Sequence, residues 1–321
     1  MRAMTAPRAL PVLREFDDWP RGLLHLVIGE FDGVHIGHRA AVRALCDTAR
    51  RDGATALAMH FDPIPIEYLA PAAPRSALTD TAERTQLLFE AGADAVAVVR
   101  FTDDFAHQLP DEFVSHVIDA GEVRRVIVAP DFRFGHDRVG DMRTLVSLGV
   151  KHGFAVEVIE TVYSERRAVT AALVRNALLA GDIADANRLL GRTYSLVGRA
   201  APDGRLRAKG LGHPAFDLLL PTDRLVPRDG VYAVWAVVEG ERVGAVANLA
   251  LSAGAIGAVE RHLEVHFLER ETVLRGESVQ VLFVRRVRDD MRFPSGWELS
   301  RQIDRDVVAA TAALREETAP R

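Results

Sequence analysis

Two histidines, His35 and His38, lie three residues apart in the segment GEFDGVHIGH at residues 29–38. The segment follows an apolar run and precedes a predicted helix. Residues three apart share a helix face, and the free N–H groups of a helix N-terminus attract anions. Two imidazoles placed there can donate hydrogen bonds to a phosphoryl oxygen or to a leaving pyrophosphate. The segment therefore indicates phosphoryl or nucleotidyl transfer, and a glycine-rich turn with two partly exposed histidines is the alternative interpretation.

Strands alternate with helices over the first half of the chain. Hydrophobic periodicity predicts helices at 38–52, 79–92, 111–121 and 145–153, and strands at 23–28, 54–61, 93–101, 123–130 and 154–161. This alternation is typical of a parallel sheet with helices on both faces. Ligands bind beyond the carboxyl ends of such strands, where the segment at 29–38 lies.

The second half of the chain has a different pattern. Strands are predicted at 194–200, 230–238, 243–249, 262–268 and 277–288 without intervening helices, which suggests an antiparallel barrel or sandwich. A final helix from Trp297 to Glu316 carries an apolar stripe. The pattern changes near residues 185–195, and we predict two domains, 1–187 and 188–321.

Composition narrows the class of protein. The chain has 321 residues, a net charge of −5 and a pI of about 6.1, which argues against a general nucleic-acid binder. One cysteine excludes an intrachain disulfide. Neither a signal peptide nor a membrane helix is predicted, so we expect a cytoplasmic protein. Its expected partners are small molecules, with neither nucleic acid nor membrane among them, and its oligomeric state is left open.

Several ordered motifs resemble the prokaryotic FAD synthetases, the family of bifunctional riboflavin kinase/FMN adenylyltransferases. GEFDGVHIGH is similar to the family's signature, and the resemblance covers roughly residues 25–310. The further matching segments are FDPIP at 61–65, DFRFGHDRVGD at 131–141, AGDIADANRLLGR at 180–192, and then GVYAV, VAN, LEVHFLE and QIDRDV in the second half. The chain is identified as a divergent member of this family.

The resemblance implies a fold and a reaction. The expected fold class is α/β: a Rossmann-like nucleotidyltransferase domain with a parallel sheet, then an antiparallel β-barrel like that of riboflavin kinase with a C-terminal helix. The first domain would transfer AMP from ATP to FMN and release pyrophosphate. The expected substrates are ATP and FMN, with Mg²⁺ as the metal cofactor.

The resemblance also assigns roles to residues. The catalytic candidates are His35, His38, Arg175 and Glu264, with Glu264 as the general base of the kinase. The nucleotide-binding candidates are Gly29, Phe31, Asp32, Gly33, Gly37 and Thr170. The flavin-binding candidates are Phe61, Asp62, Asp131, Phe132 and Arg133. Asp217 is the candidate metal ligand.

The sequence departs from the family's pattern at both phosphate sites. Ala171 and Ala172 replace two hydroxyl residues of the phosphate loop, and Ala215 replaces a threonine of the kinase motif. Phe216, beside it, is expected to occupy space next to the phosphates. Each lost hydrogen bond to a charged group costs about 1.5–3 kcal/mol. The kinase half is therefore predicted to be degenerate.

Two alternatives to FMN adenylylation remain open. One is a nucleotidyltransferase of the same fold that acts on another phosphorylated acceptor, as the changes at Ala171, Ala172 and Ile64, which replaces a histidine of the family's Phe-Asp-Pro-His-Pro motif, suggest. The other is a non-catalytic flavin- or nucleotide-binding paralogue. The intact histidine pair favours an enzyme, because a binding relic need not retain both imidazoles.

Overall fold

The computed structural model describes residues 11–70, 76–201, 215–253, 259–269 and 274–318. The chain divides into two compact units, Met1–Ala171 and Ala172–Arg321.

Six parallel strands form the main sheet of the first unit. Three of them, at residues 23–28, 55–62 and 95–100, are buried on both faces and are nearly continuous apolar runs. The strands are β1 (Val12–Leu13), β2 (Leu23–Ile28), β3 (Thr55–Asp62), β4 (Ala95–Arg100), β5 (Glu122–Val128) and β6 (Ala155–Val158), and a two-stranded hairpin of β7 (Tyr163–Ser164) and β8 (Arg167–Ala168) follows. The order across the sheet is β1-β4-β3-β2-β5-β6. The order reverses at β2, so β2 and β5 flank the point where an open parallel sheet binds ligands.

Helices cover both faces of this sheet. One buried cluster includes Val42, Leu45 and Leu88, and the opposite cluster includes Phe113 and Leu145. The helices are α1 (Ile36–Asp52), α2 (Pro65–Leu69), α3 (Thr81–Glu90), α4 (Asp103–Ala106), α5 (Pro110–Asp119) and α6 (Met142–His152), with short 3₁₀ turns at Phe16–Asp18, Asp32–Val34 and His136–Arg138.

The predicted Rossmann-like class is confirmed, and the local differences have physical causes. Helix α1 begins at Ile36 because His35 serves as its N-cap. Helix α3 begins at Thr81, two residues later than predicted, because Asp80 caps it by accepting from the Glu83 N–H at 2.8 Å. Strand β1 was missed because two residues carry no periodicity. Strand β6 is shorter than the predicted 154–161.

The second unit contains a closed six-stranded antiparallel barrel of order β10-β13-β12-β11-β14-β9. The five predicted strands are present and the barrel alternative is confirmed. The strands are β9 (Tyr194–Ala200), β10 (Phe216–Leu219), β11 (Gly230–Val238), β12 (Glu241–Ala253), β13 (Val259–Phe267) and β14 (Ser278–Arg288). Strand β10 was missed because its residues were interpreted as a metal-site motif, whose start at 212–214 lies outside the described residues.

The described residues of the second unit also form helices α7 (Ala171–Ala180), α8 (Ile183–Leu190) and α9 (Gly296–Thr318), of which α7 begins at the last residue of the first unit. Helix α9 packs its Ala310, Ala313 and Leu314 against Val231 and Val246 on the outer face of the barrel. This matches the predicted apolar stripe of the final helix. Helices α7 and α8 were not predicted from periodicity. The functional boundary at 187–188 stays a prediction.

A buried histidine connects the sheet to α3. His60 of β3 is fully buried, and its Nε2 lies 3.0 Å from the Thr85 hydroxyl. Burial, together with the positive charge of Arg84, lowers the pKa of His60 from 6.5 to about 3. The folded protein therefore keeps this imidazole neutral at pH values where an unfolded chain would protonate it.

We predict that replacing His60 by Leu weakens the pH dependence of stability. Below about pH 6.5 only the unfolded chain protonates His60, so the free energy of unfolding falls as pH falls, by about 1.4 kcal/mol per unit. Between about pH 7.5 and 5 the variant should lose about 2 kcal/mol less than wild type. Urea titrations followed by Trp fluorescence measure this difference. Equal losses of unfolding free energy in the two proteins would contradict this prediction. Measurements near pH 8, above the titration of His60, give the packing cost of the substitution alone.

Candidate functional site

The turn from β2 to α1 has an unusual backbone. Phe31, Gly33 and Val34 have φ angles of 50°, 78° and 37°. Positive φ is rare for non-glycine residues and strained for a β-branched one, so surrounding contacts must hold this turn. The turn lies beyond the carboxyl end of β2 and leads into the N-terminus of the 17-residue helix α1.

Those contacts come from the buried carboxylate of Asp32, which is 1% exposed. Its Oδ1 accepts from the Leu78 N–H at 2.9 Å, from the Thr79 N–H at 3.1 Å and from the Thr79 hydroxyl at 3.3 Å. The Gly33 N–H donates to the same hydroxyl at 3.0 Å. Asp32 thus fastens the turn to the loop before α3, and its predicted nucleotide role remains a prediction.

The structure brings His35 and His38 together. Their rings stack with centroids 3.6 Å apart and planes 15° apart. Nδ1 of His35 accepts from the His38 backbone N–H at 3.3 Å, and the Phe31 ring meets His38 edge-on with centroids 5.1 Å apart. A methyl group at Gly37 would lie 3.1 Å from the His35 ring, so any larger residue would require that ring to move by a few tenths of an ångström.

His38 is held in a neutral form. Burial, then His35, then the positive charge of Arg84 lower the pKa of His38 well below its ordinary value. Nδ1 of His38 is buried and has no hydrogen-bond partner in the described part of the chain. The site therefore presents imidazole nitrogens and a helix N-terminus, a set of groups suited to an anion.

The predicted flavin-binding segments end at the same edge of the sheet. Phe61 and Asp62 close β3, and Asp131–Arg133 follow β5; both strands neighbour β2. Asp62 Oδ1 accepts from the Thr81 hydroxyl at 2.7 Å, and exposed Arg133 lies 3.5 Å from Asp141. Asp131 is exposed.

An aromatic cluster lies behind these segments. The centroid of the Phe61 ring lies 5.7 Å from that of Phe105, and Phe132 stacks on Phe134 at 5.4 Å. Phe134 belongs to the core, whereas Phe132 is partly buried and lies at its margin. Gly29 is close to a ring as well, because a methyl group there would lie 3.3 Å from Phe31.

Two further candidates lie on either side of the division between the units. Thr170 is exposed, and Arg175 is a partly buried residue of α7. Ala171 and Ala172 form the first turn of that helix. The roles predicted for Thr170 and Arg175 toward phosphate remain predictions.

In the second unit, three polar side chains lie side by side on neighbouring strands. Glu264 of β13 pairs with Asp217 of β10 and with Asn248 of β12. Leu263 and Val265, the neighbours of Glu264, are fully buried inside the barrel, so Glu264 points outward. Asp217 is 4% exposed. Within the described residues no three His, Cys, Asp or Glu side chains are arranged to hold a metal ion.

A cavity of about 270 Å³ lies beside Glu264. Arg288 and Asp306 form one wall through a bidentate ion pair, with Nε–Oδ1 at 2.9 Å and Nη2–Oδ2 at 2.7 Å. Gln302 donates to the same carboxylate at 2.9 Å. The apolar lining comes from Val231, Val246, Met291, Phe293, Leu299 and Ile303.

Sequence reasoning missed this cavity. Leu299 and Ile303 were predicted as part of a buried stripe, and they line the cavity instead. The signal in the sequence that could have indicated the cavity wall was the four-residue spacing of Gln302 and Asp306, which places both side chains on one helix face.

The expectation for Phe216 was wrong. Its ring is 2% exposed and packs against Phe267 at 5.1 Å, inside the barrel with the other core residues. Ala215 is also buried. Phe216 alternates with Asp217 along β10, so it points away from the face that carries Glu264.

No helix of the described residues is long and apolar enough to cross a membrane.

Comparisons with known proteins agree with this architecture. The sequence model of the FAD synthetase family matches residues 22–172, and that of riboflavin kinase matches residues 190–314. The bifunctional riboflavin kinase/FMN adenylyltransferase of Pseudomonas fluorescens is 36% identical over 286 residues, which is 89% of this chain and 91% of the relative. That of Escherichia coli K12 is 34% identical over 288 residues, with the same coverage.

A solved structure shares the fold over nearly the whole chain. It is described as a macrolide-efflux protein from Streptococcus pneumoniae, is 26% identical, and superposes with a TM-score of 0.85 over 94% of this chain and 98% of its own. Because the riboflavin kinase model matches the barrel, the predicted degeneracy of the kinase half is not supported. The chain belongs to the bifunctional riboflavin kinase/FMN adenylyltransferase family, the FAD synthetases, and contains both of that family's domains.

Proposed function

We propose that the first half of the chain, 1–187, transfers AMP from ATP to the phosphate of FMN. The observation that carries this proposal is the stacked pair of His35 and His38 at the N-terminus of α1, beyond the switch point of the parallel sheet. An oxygen of the FMN phosphate attacks the α-phosphorus of ATP. The bond from that phosphorus to the bridging oxygen breaks, and pyrophosphate leaves with its electrons.

The histidine pair acts on charge that develops during this step. A low pKa keeps an imidazole neutral, and a neutral imidazole can donate one hydrogen bond to an oxygen without adding charge. His38 meets this description. The helix N-terminus supplies a partial positive charge, and Thr170 and Arg175 would contact the phosphates. Mg²⁺, when bound with ATP, would neutralise part of the polyphosphate charge.

The neighbouring strand ends supply the acceptor site in this proposal. Phe61 and Phe132 present aromatic surface for an isoalloxazine ring, since stacked aromatic pairs are favourable. Arg133, which is exposed and lies 3.5 Å from Asp141, can interact with the FMN phosphate or the ribityl hydroxyls. The carboxylates of Asp62 and Asp131 offer hydrogen-bond acceptors for the hydroxyl groups and the ring N–H group of FMN.

We infer that the second half, 188–321, phosphorylates riboflavin. Glu264 would accept the proton of the riboflavin hydroxyl while the γ-phosphate of ATP is transferred to its oxygen. Asp217 and Glu264, paired across β10 and β13, offer the oxygen ligands that Mg²⁺ prefers, so the donor set fits this metal. The cavity beside Glu264 provides apolar side chains for the flavin ring. We place both reactions in the cytoplasm, where ATP is available.

We predict that His35→Ala and His38→Ala each lower the turnover of FMN adenylylation at least about a hundredfold, the scale of losing one transition-state donor. The formation of FAD from FMN and Mg·ATP measures this effect. Riboflavin phosphorylation by the same variants is the control, because the barrel contains neither residue. Near wild-type adenylylation in both variants would overturn the assignment.

We also predict that the double substitution Ala171→Ser and Ala172→Thr raises the rate of FMN adenylylation, because two hydroxyl donors return to the phosphate loop. The rate with FMN is compared with rates for other phosphorylated acceptors. An unchanged or lower rate with FMN, together with efficient use of another acceptor by the wild type, would favour the second candidate function: nucleotidyl transfer to that acceptor.

In the barrel, Glu264→Gln should reduce the turnover of riboflavin phosphorylation by about 100-fold or more, because it removes the base. Asp217→Ala should raise the Mg²⁺ concentration needed for half-maximal rate. Steady-state assays over a Mg²⁺ series test both, with exposed Glu298→Gln as the matched control. An unchanged Mg²⁺ dependence in Asp217→Ala would remove Asp217 from the metal site.

A further inference from the structure

Arg84 of α3 is a buried cation that contacts the loop to which the histidine turn is fastened. It is 2% exposed, although arginine is almost never fully buried without partners. Its guanidinium stays charged in a protein. The motifs that indicate nucleotidyl transfer do not include it, so its burial requires a separate explanation.

The guanidinium joins two backbone segments. Nη1 donates to the Phe61 carbonyl at 3.1 Å, and Nη2 donates to the Thr79 carbonyl at 3.1 Å. Phe61 lies at the carboxyl end of β3. Thr79 in turn holds Asp32 and Gly33 of the turn that precedes His35. Arg84 therefore fixes the spacing between the strand end and the loop that positions the histidines.

Its charge is not neutralised at contact distance. Asp32, Glu67, Asp62 and Asp80 stabilise the cation electrostatically. Among the described residues, however, the hydrogen bonds of the guanidinium go to carbonyls and the only ring nitrogen near it is Nδ1 of His60, at 3.5 Å. Its Nε has no hydrogen-bond partner in that part of the chain. In a site of low dielectric, such a charge acts on its neighbours over several ångströms.

We propose that Arg84 is a positioning residue for the histidine pair: its guanidinium fixes the two backbone segments that hold the pair and places its positive charge where it acts on His38. The titratable groups that act on His38 are His35, stacked on it from the helix cap, and Arg84 from α3; the Phe31 ring, at its edge, is uncharged. This inference rests on the adenylyl transfer proposed above.

Arg84 also acts on His38 through its positive charge, which lowers the pKa of that imidazole. Removing a nearby cation makes protonation of His38 easier, so the pKa of His38 rises. The neutral form is then lost at a higher pH, and the acidic fall of the pH–rate profile moves upward. Lysine at this position retains the charge but lacks the planar fork that reaches two carbonyls. It should therefore preserve the profile while lowering kcat.

The test compares Arg84→Met and Arg84→Gln with Arg84→Lys in the full-length protein. Turnover of FMN adenylylation is measured from about pH 5 to 9, and His38 is titrated by NMR of its ring Cε1–H, assigned with His38→Gln. We expect both neutral variants to shift the His38 titration and the acidic limb to higher pH. Arg84→Lys should lose about tenfold or more in kcat with neither shift.

Riboflavin phosphorylation by the barrel is the control for intact protein, and Arg84→Gln retains a hydrogen-bond donor in case Arg84→Met does not fold. Unshifted His38 titrations in a folded neutral variant would overturn the inference, as would wild-type kcat in Arg84→Lys. The NMR titration does not require turnover. If the wild type fails to adenylylate FMN while the neutral variants still shift the His38 titration, the proposed function is refuted and the role of Arg84 toward His38 stands.

Discussion

The candidate adenylyl-transfer site depends on one buried carboxylate. Asp32 is almost completely removed from solvent, and a carboxylate can be buried only where hydrogen bonds replace its hydration. The backbone of Leu78 and the backbone and hydroxyl of Thr79 provide them. These bonds hold a turn whose positive φ angles would otherwise be unfavourable. The turn sets the start of α1, and the start of α1 sets the stack of His35 on His38.

The two halves of the chain present opposite chemistry to their substrates. The first half offers a helix N-terminus, the neutral imidazole of His38 and the exposed guanidinium of Arg133, groups that suit an anion. The barrel offers Asp217 and Glu264 side by side on its outer face, which suit a cation and a hydroxyl proton. This contrast agrees with a family in which one half transfers a nucleotidyl group and the other a phosphoryl group.

The surroundings of the residues that depart from the family's motifs show which departures concern packing and which concern the chemistry of the site. Phe216 is a core residue of the barrel, so it does not obstruct the outer face. Ile64 is 1% exposed, which makes it part of the packing at the start of α2. Ala171, Ala172 and Ala215 each lack a hydroxyl, and these three carry the chemical consequence. The matches of both family models show that the two-domain framework persists despite them.

The sequence by itself determined the alternation of strands and helices, the five long barrel strands and the location of His35 and His38, because these follow from local periodicity and a contiguous motif. It could not determine β1, which is too short to show a pattern, or β10, whose residues resemble a metal-site motif. Tertiary structure decided the stacking of the imidazoles, the burial of Arg84 and the cavity beside Glu264. The last two join residues far apart in the chain, such as Arg84 with Phe61 or Arg288 with Asp306, and the stack depends on a turn held by such a contact, that of Asp32 with Thr79. Only folding sets such distances, and the burial that accompanies it sets the charge state of the groups.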